Sequence, residues 1–426
     1  MYKRFPFLFW SFMTLFLSIR AGGFQVNLQG VPNAGMGHIG AALAIDPSAQ
    51  FFNPGALGMS RGGIMMGSTP IFARVSYLEP APGTYSAQNE ATLSTPFSAY
   101  GSYRFKIDSK NSLAFGLSAY TPFGSRVLYA DDWKGQFAIR EIALAAIFIQ
   151  PTVALNLGKR VGIGFGPVFA TGNVLVRRGI PAQFADGSYG EARLNGAGSG
   201  FGFNAGIYYQ CAYEKFGFGL SYRSKVVFNA ENGTAEFTVP AALQEFFPTT
   251  TFSSKLQLPS TLTLATSYKF QGENQVGIDI SYVGWSAYQS LDFDFTDNTD
   301  RLADSKSPRN YTNAFIFRAG WQKPITDDFQ IRAGAYFDMT PVPDGYTTPE
   351  TPDANKLGLS AGASYETHRF RIDASILWVE GAKRSDINLE TNFGGTYKAR
   401  AIIPGIGLAY FFEAMPFQKN SGEKLN

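Results

Sequence analysis

The chain contains one match to a nucleophile motif and little that would complete it. Gly358-Leu359-Ser360-Ala361-Gly362 has the G-x-S-x-G spacing of hydrolases, but that motif needs a sharp strand-to-helix turn. The surrounding residues alternate in polarity like a strand, so we expect Ser360 to lie within a strand. The only two histidines, His38 and His368, are poor partners for a Ser-His hydrolase or a zinc site. We therefore expect no enzymatic activity, no metal and no cofactor.

Four arginines have the clearest binding chemistry. Arg177 and Arg178 stand together at the end of a predicted strand, whereas Arg223 and Arg332 belong to the polar faces of two other strands. A guanidinium can bind a carboxylate through two parallel hydrogen bonds, so these residues are candidates for holding an acidic substrate. For each arginine the alternative is an internal ion pair or a solvated charge at the rim.

An apolar stretch interrupts the polar connector 229–254. The segment 240–247 reads as a short helix that carries Leu243, Phe246 and Phe247. A loop that faces water seldom exposes three large apolar side chains without a use. We expect a groove that captures acyl chains here; a loop cluster that packs upon itself is the alternative.

These residues must be positioned by strands, since about fourteen strand-length segments lie between residues 62 and 412. The connectors between these segments alternate between short and long. This alternation is typical of an up-and-down barrel in an outer membrane, where one rim faces the periplasm and the other faces outside. Twelve or sixteen strands, or a large soluble β-protein, are the alternatives. The tight turns are predicted near 107–111, 158–160, 213–215, 271–274, 324–327 and 366–369, and the long connectors near 79–92, 124–142, 178–199, 229–254, 293–311, 341–355 and 381–396.

Several strands have two faces of different polarity. In 370–378 every second residue from Phe370 to Trp378 is apolar, while Arg371, Asp373 and Ser375 lie between them. Similar alternation occurs in 216–223, 276–282 and 329–337, which predicts one face toward lipid and one toward the lumen. Such a sheet must close, because every backbone donor and acceptor needs a partner within the membrane. Aromatic residues at strand ends are predicted to form interfacial girdles: Trp285, Trp321, Trp378 and Tyr410.

Composition and the chain termini complete the predicted organisation. Aromatic residues make up 15% of the 426 residues and charged residues only 16%, and the net charge of +3 is too small to suggest a nucleic-acid partner. We predict a signal peptide at 1–21, a compact hatch or plug at 22–61, an all-β antiparallel barrel of about fourteen strands at 62–412 and a polar tail at 413–426. A hatch inside the lumen argues against an open diffusion pore.

Motifs along the chain resemble the FadL/TodX family of outer-membrane transporters for long-chain fatty acids and hydrocarbons. The resemblance begins at Gly23-Phe24-Gln25-Val26-Asn27 and continues through Asn53-Pro54, although Gly55 stands where the family usually has alanine. It covers nearly the whole mature chain, because further matches follow in order: Thr121-Pro122-Phe123-Gly124, Asp132-Trp133, Gly200-Phe201-Gly202, Ser221-Tyr222-Arg223-Ser224, Leu258-Pro259 and Pro341-Val342-Pro343-Asp344.

The resemblance implies passive uptake of hydrophobic molecules. In the family that the chain resembles, substrate is captured at the extracellular loops, enters an apolar pocket in the lumen and leaves sideways at a kink in the third strand. Pro122 and Gly124 suit that kink, because proline removes a ladder donor and glycine weakens a strand. Asn53 and Pro54 match hatch residues of that family. We also predict that Phe24 and Tyr336 contact the ligand.

We therefore predict a monomeric protein in the lipid of the outer membrane of a Gram-negative bacterium, with a hydrophobic small molecule as its partner and no nucleic acid. Long-chain fatty acids are the foremost substrate class, and aliphatic or aromatic hydrocarbons are the alternative. A hydrophilic porin would need a densely charged lumen and no hatch. A membrane-embedded lipid-modifying enzyme would need a nucleophile and a base on one rim, which the sequence does not provide.

Overall fold

The computed structural model describes residues 23–211 and 215–413, which form a closed antiparallel barrel of fourteen strands. Strands that follow each other in the chain are neighbours in the sheet, and β14 pairs with β1 to close it, with Gly63 opposite Phe411 and Ser68 opposite Ile406. Closure pairs the first strand with the last, so the sheet has no free terminal strand, which is the requirement for strands that cross a membrane. The predicted fold class and strand number are confirmed.

Several strands are interrupted by a break or a bulge, so some have more than one segment. They are β1 (Gly63–Ser68 and Ile71–Leu78), β2 (Ser86–Gln88, Leu93–Ser94 and Phe97–Lys106), β3 (Ser112–Leu128), β4 (Glu141–Leu157), β5 (Val161–Gln183), β6 (Tyr189–Gln210), β7 (Phe216–Arg223 and Val226–Thr238), β8 (Thr250–Leu258 and Thr261–Lys269), β9 (Gln275–Val283 and Ser290–Phe295), β10 (Ser305–Pro308 and Ala314–Pro324), β11 (Phe329–Asp338), β12 (Lys356–Thr367), β13 (Phe370–Gly381 and Arg384–Ile387) and β14 (Gly394–Phe411).

The outward faces carry an apolar band of constant height. On β13 the five outward residues from Phe370 to Trp378 are apolar, and on β14 the five from Ile402 to Tyr410 are apolar as well. The two rows match, since Phe370 lies opposite Tyr410 and Trp378 opposite Ile402. Eight residues of strand span about 27 Å along the strand. A strand tilt of about 35–45° reduces this to a height of about 20 Å, which fits within the band of about 25 Å of outer-membrane barrels. The predicted faces of this strand are confirmed.

The girdle prediction is wrong for Trp285. Trp378 points outward with 39% of its surface exposed, but Trp285 is fully buried. It begins the short 3-10 turn Trp285–Ala287 that interrupts β9, and there it packs inside the barrel against Phe24, with ring centroids 5.0 Å apart. Its place at a strand end in the sequence gave no indication of which side of the wall it occupies.

The predicted connector 178–199 is also wrong, because most of it is strand. β5 and β6 extend through it as a paired hairpin, with Arg178 opposite Ala192 and Gln183 opposite Tyr189. These strands continue beyond the apolar band on the extracellular side, where both faces can be polar. The loss of apolar alternation therefore marks where the membrane ends and not where the strand ends. Five of the six predicted short turns at the opposite rim fall between strands as expected, for example at 158–160 between β4 and β5. Most of the sixth, 213–215, lies outside the described residues.

The predicted hatch, 22–61, is described from Gly23 onward and lies inside the barrel. It contains two short helices, α1 (Val31–Ala34) and α2 (Ala49–Phe52), and the 3-10 turn Pro54–Ala56. Glycine permits its close approach to the wall: Gly37 has φ +67°, and a Cβ there would lie 2.7 Å from the carbonyl oxygen of Ala319. A Cβ on Gly334 of β11 would lie 2.2 Å from the backbone nitrogen of Gly37.

Buried polar contacts fix the hatch to the lumen face of the wall. Arg371 on β13 donates to Asp46 of the hatch at 2.6 Å and to Asp373 at 3.0 Å. Asp279 on β9 accepts from the backbone nitrogen atoms of Gly40 at 2.9 Å and Ala41 at 3.1 Å. These buried charges thus have partners, as a low-dielectric interior requires.

The remaining described segments are short. Within the described residues no helix has the length and apolarity needed to span a membrane. Three further 3-10 turns follow the hatch, at Ala241–Phe246, Gln271–Glu273 and Trp285–Ala287. The predicted signal peptide, 1–21, lies outside the described residues, as does the predicted tail beyond Glu413.

Candidate functional site: an unpaired strand edge beside a lumen cavity

β3 stops pairing with its neighbour β2 about half-way along its length. The two strands pair from Lys106 and Ser112 up to Ser98 and Tyr120, and no ladder joins them above that point. On its other side β3 stays paired with β4 to its end, apart from an irregularity between Tyr120 and Phe123. Pro122 lies at that irregularity and has no N–H to give to a neighbouring strand. The wall therefore has an unpaired edge along β3 from Thr121 up to Leu128, whose carbonyl oxygen accepts from the backbone N–H of Glu90 at 2.7 Å.

The first residues of the hatch cover this edge. Gln25 forms a β-bridge with Phe123, the backbone N–H of Val26 donates to the carbonyl oxygen of Pro122 at 2.9 Å, and that of Gly124 donates to the carbonyl oxygen of Phe24 at 3.2 Å. This hatch segment thus occupies the place that β2 leaves. The residues predicted as gate positions, Pro122 and Gly124, are the ones that contact the hatch.

Phe24 holds the segment in place with its ring. It makes edge-to-face contacts with Phe123, Trp285 and Tyr288, with centroid distances of 6.2, 5.0 and 5.6 Å. Such pairs contribute about 0.5–1.5 kcal/mol each beyond the area they bury. The contact joins the hatch, β3 and the turn that interrupts β9 into one aromatic cluster.

A cavity of about 710 Å³ lies directly behind the covered edge. Its walls are mainly apolar, with Leu28 and Tyr336 among the buried residues that pack together there. Both predicted ligand contacts on this side, Phe24 and Tyr336, line it. Further lining comes from Val26, Ile71, Phe123, Leu144, Leu377, Val379, Ala401 and Ile403.

A polar cluster marks one end of the cavity. Lys356 at the start of β12 forms an ion pair with Asp353 at 2.6 Å and donates to the carbonyl oxygen of Gly23 at 3.3 Å. The backbone nitrogen of Gly23 in turn donates to Asp353 at 3.0 Å. Sequence reasoning missed this cluster, although an acid and a lysine three residues apart after Pro352 were a visible signal.

Arg177 lies outside the cavity, in an ion-pair network on the extracellular extension of β5 and β6. Its guanidinium contacts Glu191 at 2.8 Å, Glu141 at 3.3 Å and Asp131 at 3.3 Å. Partial burial raises the pKa of Glu191, but hydrogen bonds from Arg177 and Arg140 outweigh this effect and hold that pKa below its usual range. Arg177 thus acts as a tie between strands in this structure.

The other three predicted arginines are also separate from the cavity. Arg223 lies over the ring of Phe51 in the hatch, 3.8 Å from its centroid, and donates to the carbonyl oxygen of Phe51 at 3.2 Å. Arg332 is buried and donates to Ser364 and Gln330 on the lumen face. Arg178, next to Arg177, is exposed and is not among the cavity residues.

The predicted capture residues lie in the loop between β7 and β8. Leu243, Phe246 and Phe247 are partly buried there. The ring of Phe247 packs 5.8 Å from that of Phe237, and Arg301 lies 5.2 Å from the ring of Phe246. None of the three lines the cavity, so a capture groove at this loop stays a prediction.

The hatch residues Asn53 and Pro54 have a structural place at the base of the lumen. Asn53 caps the turn Pro54–Ala56 by accepting from the backbone nitrogen of Gly55 at 3.0 Å. It also donates to the carbonyl oxygens of Ala41 at 2.8 Å and Ile207 at 3.0 Å, which ties the hatch to β6. Ser360 of the G-x-S-x-G match lies within β12, as predicted, and accepts from the backbone nitrogen of Gly37 at 2.8 Å.

A closed apolar-banded barrel with an internal hatch and a lumen cavity defines an outer-membrane transport protein. The family model described as "Outer membrane protein transport protein (OMPP1/FadL/TodX)" matches residues 14–412. The chain belongs to this family, which consists of channels for hydrophobic compounds and not of enzymes.

Named relatives are distant but cover most of the chain. The long-chain fatty acid transport protein of Salmonella typhi is 26% identical over 387 residues, which are 84% of this chain and 86% of that protein. The protein of the same name from Escherichia coli K12 is 24% identical over 396 residues, with 84% and 86% covered.

Solved structures agree in fold. A FadL homologue from Pseudomonas aeruginosa superposes with a TM-score of 0.77 at 19% identity, covering 92% of this chain and all of that one. The toluene transporter TodX of P. putida gives 0.69 at 15% identity, with 90% and 98% covered. At these identities the likeness establishes the architecture alone.

Proposed function

We propose that this protein takes up long-chain amphipathic acids across the outer membrane. The observation that carries the proposal is the cavity of about 710 Å³, mainly apolar, that meets both the hatch and the unpaired edge of β3. Its size lies in the range of pockets that enclose a whole small ligand. The relatives named for long-chain fatty acid transport support the substrate class.

Lys356 is the residue we propose to hold the substrate carboxylate. Lys356 is among the residues that line the cavity, and its ammonium group already contacts a carboxylate, that of Asp353. A bound acid would compete with Asp353 for Lys356 and disturb the hydrogen bonds of both residues to Gly23. Substrate binding would thus loosen the beginning of the hatch, which covers the β3 edge.

Release is then lateral. When the segment Phe24–Val26 leaves β3, the cavity opens through the wall between β2 and β3 toward the membrane. A substrate with a long apolar chain gains by this route, because it avoids the water of the periplasm. Capture at the loop of Leu243, Phe246 and Phe247 remains the proposed first step. We also propose that the protein is a monomer, because a single barrel contains the whole path.

Hydrocarbon uptake is the second candidate, and a specific observation favours it. The charges at the cavity end already compensate each other, since Lys356 is paired with Asp353. An uncharged ligand would fill the apolar part and leave that pair intact.

Binding of a C16 fatty acid, hexadecane and toluene to the purified protein distinguishes these candidates. Preference for the acid, reduced about tenfold or more by Lys356→Met, supports acid uptake, since a charge-assisted hydrogen bond contributes about 1.5–3 kcal/mol. Lys269→Met, which removes a cation paired with Glu273 in a periplasmic turn, is the matched control. Preference for hexadecane or toluene, unaffected by Lys356→Met, supports hydrocarbon uptake, and binding of none of the three contradicts both.

A further inference from the structure

Two arginines lie side by side on the outer surface of the barrel, just above the apolar band. Arg74 of β1 and Arg400 of β14 are direct cross-strand partners, and both are exposed. Their side chains share the outward face with Phe72 and Ile402, which are 56% and 52% exposed and are also direct partners. The arginines thus occupy the first row on the extracellular side of the band.

The position of this row relative to the membrane is fixed by its neighbours. Trp378 of β13 and Ile402 lie opposite each other in the last apolar row, and tryptophan prefers the level of lipid headgroups. One step further, about 7 Å along the strands, lie Arg400 and Arg74. This is the depth at which the charged groups of outer-leaflet lipids are found.

The pair has an unbalanced charge. Glu380 is the cross-strand partner of Arg400 on the other side, but its carboxylate is engaged by Lys398 at 2.5 Å. Within the described residues no carboxylate lies within 4.0 Å of the guanidinium of Arg74 or Arg400. This holds also for exposed Glu90, which lies in the break between the first two segments of β2. Arg74, Lys398, Arg400 and Glu380 together carry a net charge of +2.

Like charges directly opposite each other destabilise an antiparallel pair, so their presence here calls for an anion between them. Guanidinium groups bind phosphate with two parallel hydrogen bonds. We propose that Arg74 and Arg400 form a binding site for the phosphate headgroup of a lipid in the outer leaflet. The acyl chains of that lipid would lie along Phe72, Ile402 and Trp378 below.

The lumen cavity borders the same stretch of wall, since Arg74, Val75, Arg400 and Ala401 are all among its lining residues. The arginine side chains alternate with those of Val75 and Ala401 and share the exposed outward face with Phe72 and Ile402. A lipid held here would stabilise β1 and β14, the pair that closes the barrel.

The test is native mass spectrometry of the full protein in detergent, titrated with bisphosphorylated lipid A and with its dephosphorylated form. The wild type should retain the phosphorylated lipid preferentially. The double variant Arg74→Gln/Arg400→Gln should bind it about 30-fold more weakly, since each basic residue at a membrane surface contributes about fivefold. Lys110→Gln/Arg160→Gln, which removes two exposed charges from the periplasmic turns, should bind like the wild type.

Equal retention by Arg74→Gln/Arg400→Gln and the wild type would overturn the proposal. So would displacement of the lipid by an equal concentration of inorganic phosphate, because the site would then be one for free anions. Arg74→Lys/Arg400→Lys keeps the charge but removes the guanidinium groups that can form two parallel hydrogen bonds, so an intermediate affinity is expected. Thermal unfolding followed by circular dichroism confirms that each variant is folded.

Discussion

The backbone N–H of Val26 donates to the carbonyl oxygen of Pro122 at 2.9 Å. The hatch thus pairs with the part of β3 that is not paired with β2. A strand edge with free carbonyls is unstable within a membrane. The hatch therefore both fills the lumen and seals the wall. In the proposed lateral release, movement of the segment Phe24–Val26 away from β3 opens this part of the wall.

A disulfide across this contact should block transport. Gln25 and Phe123 are bridge partners, and cross-strand Cα atoms lie about 4.5–5.5 Å apart, within disulfide range. In a Cys211→Ser background, Gln25→Cys/Phe123→Cys should lose uptake of a fluorescent fatty acid when oxidised and regain it after reduction. Transport that persists in the oxidised, fully cross-linked protein would contradict lateral release at β3.

The control cross-link joins the hatch to another strand. A Cβ on Gly407 of β14 would lie 3.3 Å from that of Val31, so Val31→Cys/Gly407→Cys can also form a disulfide. It leaves Phe24 and Pro122 free to separate. Uptake should therefore survive oxidation of this variant.

Gly55 should not tolerate the alanine that is usual in its family. A Cβ there would lie 2.7 Å from the carbonyl oxygen of Gly162 and 2.8 Å from that of Gly206. Overpacking of this kind costs about 1–3 kcal/mol. Gly55→Ala should lower the denaturant midpoint of the refolded protein, whereas Gly101→Ala, whose nearest atom would lie at 3.9 Å, should change it little. Equal midpoints for both variants would show that the hatch can move away from the wall.

The buried Asp46 should be essential for docking of the hatch. Asp46→Asn leaves Arg371 with Asp373 alone in a buried site, and breaking a buried pair costs about 3–5 kcal/mol. Limited proteolysis should then cleave the hatch while the barrel stays intact. Glu273→Gln, which removes an exposed pair with Lys269, is the control and should leave the hatch protected. A protected hatch in Asp46→Asn would show that backbone contacts alone hold it.

Glu191 should make the extracellular hairpin of β5 and β6 sensitive to acid. Its pKa is lowered in the folded state, so its stabilising effect is complete above its unfolded pKa of about 4.3 and is lost as the pH falls through the folded pKa. Glu191→Gln should unfold at a lower temperature than the wild type at pH 7, and the difference should be smaller at pH 3. A constant difference at both pH values would exclude the ion pair with Arg177 as its cause.

The sequence by itself determined the barrel, because the period-2 alternation in segments such as 370–378 depends only on which face meets lipid. It also identified the hatch as a separate, small-residue-rich segment, and Pro122 as an interruption of β3. These are local properties: side-chain period, a missing N–H and the size of glycine all follow from residue type.

Only the tertiary structure decided what the interruption does. Contact between Val26 and Pro122 joins residues 96 positions apart, and the cavity is lined by the hatch and by strands from both ends of the chain. Arg177 looked like a ligand contact, but its partner Glu191 becomes a neighbour only when β5 and β6 pair beyond the membrane. The sequence shows which residues can form an ion pair or a binding contact, and the closure of the sheet determines which partner each one meets.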